Sequence, residues 1–401
     1  MRVLLSAIGS RGDVQPLVAL ALELRDLSCD VRLCVPPDFR AWIEGLGFSV
    51  TPIGPELRST GNANARTTIT PERRRQMIEG TVAAQFETIK AAARDRDAIV
   101  GATALQIAAP SIAETLGIPY VFAAYSPAVL PSSRHAPPVL AALGDSPAPV
   151  LTDYGALWED DARRWNDVWR PILNVQRAAL GLSPVDDVRD HVLTSRPWLA
   201  ADETLAPWTD SPATAVFQTG AWMLNDDRPL SPELESFLDA GDPPIYVGFG
   251  SVRAPEQLGR MSIESARALG KRIVLSRGWA ELSLVDDQAD CLAIGEVNQQ
   301  RLFARVAAVV HHGGAGTTTN AARAGAPQLV MPQHYDQHYF ASRVEALEIG
   351  VAHTSRGLRP DDVIASLQRV VDPAVKTRAR TVAMSVRTDG AAIAAHAVRS
   401  L

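Results

Sequence analysis

The densest run of chemically useful residues in this 401-residue chain is Val309-Val310-His311-His312-Gly313-Gly314-Ala315-Gly316-Thr317-Thr318-Thr319-Asn320. A β-rich run over 306–310 leads into it, and a helix is expected to start within the threonines. Glycines let a backbone approach a ligand closely, and the first turn of a helix offers unpaired N–H groups at the positive end of its dipole. That combination is a cradle for an anion, best suited to a phosphate or diphosphate. The threonine hydroxyls could cap the helix or donate to an oxygen, and His311 and His312 add side-chain donors at a strand's C-terminal edge, where open α/β sheets bind ligands. The run is not a P-loop, which needs Lys-Ser/Thr, nor a G-x-G-x-x-G fingerprint. A lone glycine turn with one core histidine is the plain alternative; the paired histidines and three threonines favour the anion site.

Three further turns follow β-rich runs. Gly248-Phe249-Gly250-Ser251 comes after Ile245 and is weak evidence alone. Gly9-Ser10-Arg11-Gly12-Asp13 lacks a third glycine, and the Asp13 carboxylate would repel a phosphate. A carboxylate at that edge is better placed to accept a proton, although Asp also favours a helix N-cap. In Pro332-Gln333-His334-Tyr335-Asp336-Gln337, adjacent Asp336 and Gln337 offer acceptors and amide donors suited to vicinal sugar hydroxyls, or Asp336 could simply cap the next helix.

Other chemistries fare worse. Asp95-Arg96-Asp97 has the D-x-D form of a metal site, but it lies at a helix end with no phosphate turn beside it. The histidines at 311, 312, 334 and 338 lack carboxylate and cysteine partners at ligand spacing. No G-x-S-x-G elbow or catalytic cysteine motif occurs. Trp158, Trp165 and Trp169, spaced by seven and four, share a helix face and read first as core, second as an aromatic acceptor pocket.

The elements that must position these residues are those of an α/β chain with parallel strands. Arg2–Ile8, a glycine turn, a helix with Leu17, Leu20, Leu24 and Leu27 on one side, and Val31–Val35 make one βαβ unit, with Pro16 expected at the helix's first position. A long helix is expected from Thr70-Pro71 to about Arg94. The phrase helix, Gly-x-Pro, strand occurs at Gly117-Ile118-Pro119 and again at Gly325-Ala326-Pro327, which agrees with two similar domains. Prolines crowd 127–150, as in a functional loop, and again 202–232, where a linker is expected. With 39 Lys plus Arg against 45 Asp plus Glu, the net charge of −6 argues against binding nucleic acid through phosphate neutralisation. No run of eighteen apolar residues is present, and Cys29, Cys34 and Cys291 form no C-x-x-C, so a soluble cytoplasmic protein is expected.

G-S-R-G-D, F-G-S, V-V-H-H-G-G-A-G-T-T and D-Q occur here in the same order as in nucleotide-sugar glycosyltransferases of GT-B fold. Gln218-Thr219-Gly220-Ala221-Trp222, Leu230-Ser231-Pro232-Glu233-Leu234 and Arg387-Thr388-Asp389-Gly390 further resemble the antibiotic, vancomycin-type group. The resemblance implies two Rossmann-like, doubly wound parallel-sheet domains facing across a cleft. It implies an acceptor domain over 1–207, a linker over 208–226, a donor domain over 227–380, and a helix over 381–401 crossing back. His312, Gly314, Gly316, Thr317 and Ser251 would hold the donor diphosphate, with Ser10 and Arg11 nearby. The backbone at Val297 would meet the base, Asp336 and Gln337 the donor sugar, and Asp13 would be the general base in place of the histidine many relatives use. The implied reaction is inverting transfer from a UDP- or TDP-sugar to a hydrophobic or aromatic small-molecule acceptor, with no metal and no cofactor beyond that co-substrate, by a monomer or weak dimer. A carboxylate of ordinary pKa about 3.9 facing a phenol of about 10 implies late proton transfer. A nucleotide-sugar epimerase of the same plan would need no large acceptor pocket, a nicotinamide dehydrogenase would need G-x-G-x-x-G, and a non-catalytic nucleotide-binding protein would turn over no nucleotide sugar.

Overall fold

The computed structural model describes residues 1–60, 70–103, 105–138, 153–209, 215–251, 256–279, 282–284, 286, 288–353 and 359–401. The chain forms two compact units, one of Met1–Ala201, Trp208–Leu224 and Thr388–Leu401, the other of Asp202–Pro207 and Asn225–Arg387. Prolines 147, 149 and 212 of the two proline-rich stretches lie outside the described residues.

The first unit is built on a seven-stranded sheet of β1 (Arg2–Ala7), β2 (Asp30–Val35), β3 (Ser49–Pro52), β4 (Ala98–Ala102), β5 (Tyr120–Ala124), β6 (Trp198–Leu199) and β7 (Phe217–Gln218). Its order is β3-β2-β1-β4-β5-β6-β7, every pair parallel. The second carries β8 (Ile245–Val247), β9 (Ile273–Ser276), β10 (Cys291–Ile294), β11 (Ala308–His311), β12 (Gln328–Val330) and β13 (Gly350–Ala352). These are ordered β10-β9-β8-β11-β12-β13, again all parallel. Strands covered by helices on both faces should be apolar throughout, and β4, β8 and β11 are buried along their whole length. Strand order reverses between β1 and β4 in one unit and between β8 and β11 in the other, the positions where doubly wound sheets open a crevice at their C-terminal ends.

The repeated Gly-x-Pro phrase has one geometry in both units. Gly117 ends the helix Ala109–Leu116 at φ 65°, and Gly325 follows the helix Ala315–Arg323 at φ 65°. This left-handed bend is open to glycine at low cost and turns the chain into the next strand. Thr70 caps the helix Pro71–Ala93 through a hydrogen bond from the Arg73 N–H, as its sequence predicts. Pro16 does not open its helix. The helix spans Arg11–Asp26, because Ser10 and Asp13 cap it five residues earlier than the proline suggested. Trp158, Trp165 and Trp169 are buried along the helix Tyr154–Ala179, as the core reading expects. Asp95 and Asp97 are taken up in ion pairs with Arg96 and Arg2, so this D-x-D is structural. The three cysteines are buried and free, and no helix among the described residues is long and apolar enough to cross a membrane.

Two of the sequence phrases meet within the first unit. A Cβ built on Gly390 would lie 2.4 Å from the Gly220 carbonyl carbon and 2.6 Å from the Ala221 oxygen, and Gly220 itself has φ 91°. The helix Gly390–Arg399 that starts there packs on the helix Arg11–Asp26. Gly390→Ala must force this backbone crossing apart and should lower unfolding stability by about 1–3 kcal/mol in urea titration. An unchanged midpoint would show that the contact tolerates a methyl group.

Candidate active site

In the second unit the two glycine turns leave neighbouring strands at the β8/β11 switch point. After β11, Gly313 adopts φ 92° and packs on the Gln337 backbone, where a Cβ would approach the carbonyl oxygen to 3.0 Å. Gly314 takes the N-cap position of the helix Ala315–Arg323, and no side chain caps that end. The N–H groups of Ala315, Gly316 and Thr317 precede the first intrahelical bond, Thr318 N–H to Gly314 O at 3.0 Å. Thr318 and Thr319 turn their hydroxyls back to the Gly314 and Ala315 carbonyls instead of capping the helix. Gly316 is exposed and Thr317 half-buried, so this end faces outward with its dipole unanswered.

The two histidines divide the work. His311 is fully buried. Its Nδ1 accepts the Gly313 N–H at 3.1 Å, so its Nε2–H donates to Gln328 Oε1 at 2.9 Å. Burial pushes it down to about 3, and it holds the glycine turn as a neutral latch. His312 lies between the turns: a Cβ on Gly314 would be 2.5 Å from its Nε2, and one on Gly250 3.5 Å from its Cε1. Its Nδ1 is buried without a hydrogen-bond partner, and burial with His334 nearby lowers its pKa to about 4. A neutral imidazole with an unanswered nitrogen at an open helix end is a hydrogen-bonding group without a protein partner. Gly248–Ser251 is braced by Gly278, whose missing Cβ would lie 2.5 Å from Gly250 O, while Ser251 is half-buried.

The loop after β12 is fixed by Gln337. Its Oε1 accepts the N–H groups of Gln333 (2.8 Å) and His334 (3.2 Å), which leaves its amide nitrogen as the free end. Tyr335 is held at φ 60° just before Asp336, which takes the N-cap position of the helix Gln337–Ala346 without a side-chain cap bond. A non-glycine residue in that region is strained, and such strain gathers at functional loops. Val297 is partly buried and precedes Asn298. Sequence reasoning passed over Asn298: its Nδ2 donates to the Asp226 and Arg228 carbonyls while its Oδ1 caps the helix Gln299–Phe303. Asn before a short helix was the available signal. Among the described residues, no three His, Cys, Asp or Glu side chains are grouped to hold a metal.

In the first unit, the Asp13 carboxylate closes back onto its own turn. Oδ2 accepts the Ser10 N–H at 2.6 Å and the Ser10 hydroxyl at 3.2 Å. A Cβ on Gly9 would lie 2.2 Å from that oxygen, so a side chain there would push the Asp13 carboxylate out of this position. Burial raises the pKa of Asp13 to about 6, with the Ser10 bonds working against it. Asp13 is not the N-cap that sequence offered as its alternative role: Ser10 takes that position, and Asp13, three residues in, answers the Ser10 N–H through Oδ2. Arg11 is engaged by Gln15 at 3.0 Å and lies 4.6 Å over the Trp42 ring.

Two parallel-sheet α/β units, each with a glycine turn at its switch point, have the architecture of the GT-B fold. Residues 3–132 match the Glycosyltransferase family 28 N-terminal domain, and residues 263–395 match the Erythromycin biosynthesis protein CIII-like, C-terminal domain. The chain is 50% identical to glycosyltransferase GtfE of Amycolatopsis orientalis over 98% of its own length and 96% of that protein. It is 48% identical to the vancomycin aglycone glucosyltransferase of the same organism, with the same coverage. Among solved structures, the Streptomyces sp. SF2575 glycosyltransferase SsfS6 complexed with thymidine diphosphate superposes with a TM-score of 0.63 at 22% identity, covering 100% of both chains. The chain belongs to the vancomycin-type antibiotic glycosyltransferases.

A carboxyl group whose folded pKa lies above its unfolded value destabilises the fold once ionised. Its contribution is best below about pH 4 and is lost as pH rises through about 6. Asp13→Asn should therefore be more stable than the parent at pH 8, by about 1 kcal/mol after allowing for solvent screening, with the gap closing toward pH 4 in urea titrations. A pH-independent gap would remove the raised pKa.

Proposed function

We propose that the protein transfers a sugar, with inversion and without a metal, from a UDP- or TDP-activated donor to a hydroxyl of an antibiotic-like aglycone, glycopeptide or polyketide. The observation that carries this reading is the uncapped helix end at Gly314 beside the His312 imidazole, whose Nε2 faces Gly314 and whose Nδ1 has no protein partner. A diphosphate supplies what both lack: anionic oxygens for the amides of 315–317 and an acceptor for an imidazole N–H. An anion there also raises the pKa of His312, so the group can carry charge as the leaving diphosphate gains it. The second unit would hold the nucleotide, with the backbone at Val297 on the base, Ser251 and Thr317 on the diphosphate, and the free amide of Gln337 with Asp336 on the sugar. The thymidine diphosphate bound by a relative of the same fold supports a TDP donor, and the identity to a glucosyltransferase of the vancomycin aglycone supports a glycopeptide acceptor.

The acceptor oxygen forms its bond to the anomeric carbon from the side opposite the diphosphate, and the anomeric C–O bond breaks with its electron pair leaving on the diphosphate. The acceptor proton goes to Asp13. Since Oδ2 is held by Ser10, Oδ1 is the receiving atom. With Asp13 at about 6, the gap to a phenol of about 10 is smaller than for an ordinary carboxylate, so transfer is less late than sequence alone implied.

Calorimetry in EDTA should detect binding of UDP or TDP, weakened about tenfold or more by His312→Ala. Equal affinity of parent and variant would exclude the histidine from the diphosphate site. With donor and an aglycone panel followed by mass spectrometry, Asp13→Asn should lower kcat by about 10²–10⁴-fold with donor affinity kept. The parent's kcat should fall as pH drops below about 6. Near-parent turnover by Asp13→Asn would end its assignment as base.

A further inference from the structure

Tyr125, directly after β5, has no place in the reaction as described so far, yet its side chain reaches past the end of β4 to the turn that carries Asp13. Its hydroxyl donates to the Asp13 main-chain carbonyl at 3.0 Å. It also feels the carboxylate: burial first, and the Asp13 charge second, raise its pKa well above the ordinary tyrosine value, so it stays a neutral donor. Its ring is held edge-on by Trp222, with centroids 6.1 Å apart at 72°. Trp222 is itself 4% exposed and donates its Nε1–H to Thr219 Oγ1 at 2.9 Å. Thr219 adjoins Gly220, whose backbone crosses Gly390 at the start of the C-terminal helix. A continuous chain of contacts within the first unit thus runs from the Gly220–Gly390 crossing through Trp222 and Tyr125 to the first turn of the helix Arg11–Asp26.

Resting on the assignment of Asp13 as base, we propose that Tyr125 is a positioning residue that fixes the backbone of Asp13 and so the direction in which Oδ1 points. Ser10 restrains the carboxylate only through Oδ2 and only from within the same turn. Asp13 lies in the first turn of the helix Arg11–Asp26, the end of that helix nearest the glycine turn. The Tyr125 hydroxyl ties the Asp13 carbonyl itself to the end of another strand, 112 positions along the chain. General-base catalysis depends on the reach and alignment of the accepting lone pair, so loss of this tie should affect the transfer step and spare donor binding.

Tyr125→Phe keeps the ring and its packing on Trp222 but removes the hydroxyl. We expect kcat to fall about tenfold with donor and acceptor KM within about twofold of the parent. The double variant with Asp13→Asn separates positioning from general structural support. If Tyr125 acts through Asp13, Tyr125→Phe costs nothing further once the carboxylate is gone. A full additional tenfold loss in the Asp13→Asn background, or parent-like kcat in the single variant, overturns the positioning role. Parent-like turnover by Asp13→Asn alone would instead overturn the base assignment on which it rests. Comparing the Tyr125→Phe variant's thermal unfolding with the parent's supplies the folding control: a kcat loss that follows the loss of folded protein also counts against the proposal.

Discussion

The structure depends most on a helix end that the protein leaves unanswered. Several helices here begin with a side chain that accepts one of the first free N–H groups, Thr70, Asp153, Asp187 and Ser231 among them, while others such as Gln337–Ala346 do not. The helix after β11 begins with glycine, and its threonines turn their hydroxyls to carbonyls behind them. Helix termini concentrate partial charge, so this end carries an unmet demand for an anion. The surroundings maintain that demand. His311 and Gln328 pin the turn from beneath, and Gly314 and Gly250 leave no side chain to fill the space around His312.

The first unit meets a different requirement with the same architecture. A strand ends at a glycine turn, but Asp13 answers its helix from within, so the turn does not present a vacant positive end. What remains is a carboxyl group that Ser10 holds through Oδ2. Burial moves it toward the pH where a carboxyl group can exchange protons usefully, while the Ser10 bonds keep it from rising further. The two requirements, an anion cradle in one sheet and a tuned carboxylate in the other, explain why two similar βαβ arrangements in one chain carry such different residues at equivalent turns.

Much of this was legible in sequence because it rests on local chemistry. Glycine at 117 and 325, proline two residues later and an apolar run beyond give the same helix stop and strand start in both units. β5 spans Tyr120–Ala124 as its residues predict. The order H-H-G-G-A-G-T-T identified the cradle, since each residue is needed for space, donors or helix initiation. What sequence left hidden was set by tertiary contacts. Nothing local says which of two adjacent histidines is the latch; Gln328 decides it from a neighbouring strand. Pro16 suggested a later helix start because a capping pair can outweigh a proline inside the second turn. Tyr125 and Trp222 are ordinary aromatic residues until the fold brings them beside Asp13, and the raised pKa of Asp13 needs burial that only the folded chain provides.

What occupies the turn from His312 to Thr317 decides whether the second unit holds an activated sugar. Crystals of the protein grown with TDP or UDP should place diphosphate oxygens within hydrogen-bonding distance, about 2.7–3.2 Å, of the amides of 315–317, with a nitrogen of His312 on one of them. A diphosphate bound elsewhere, or a turn that stays empty at saturating nucleotide, would contradict it.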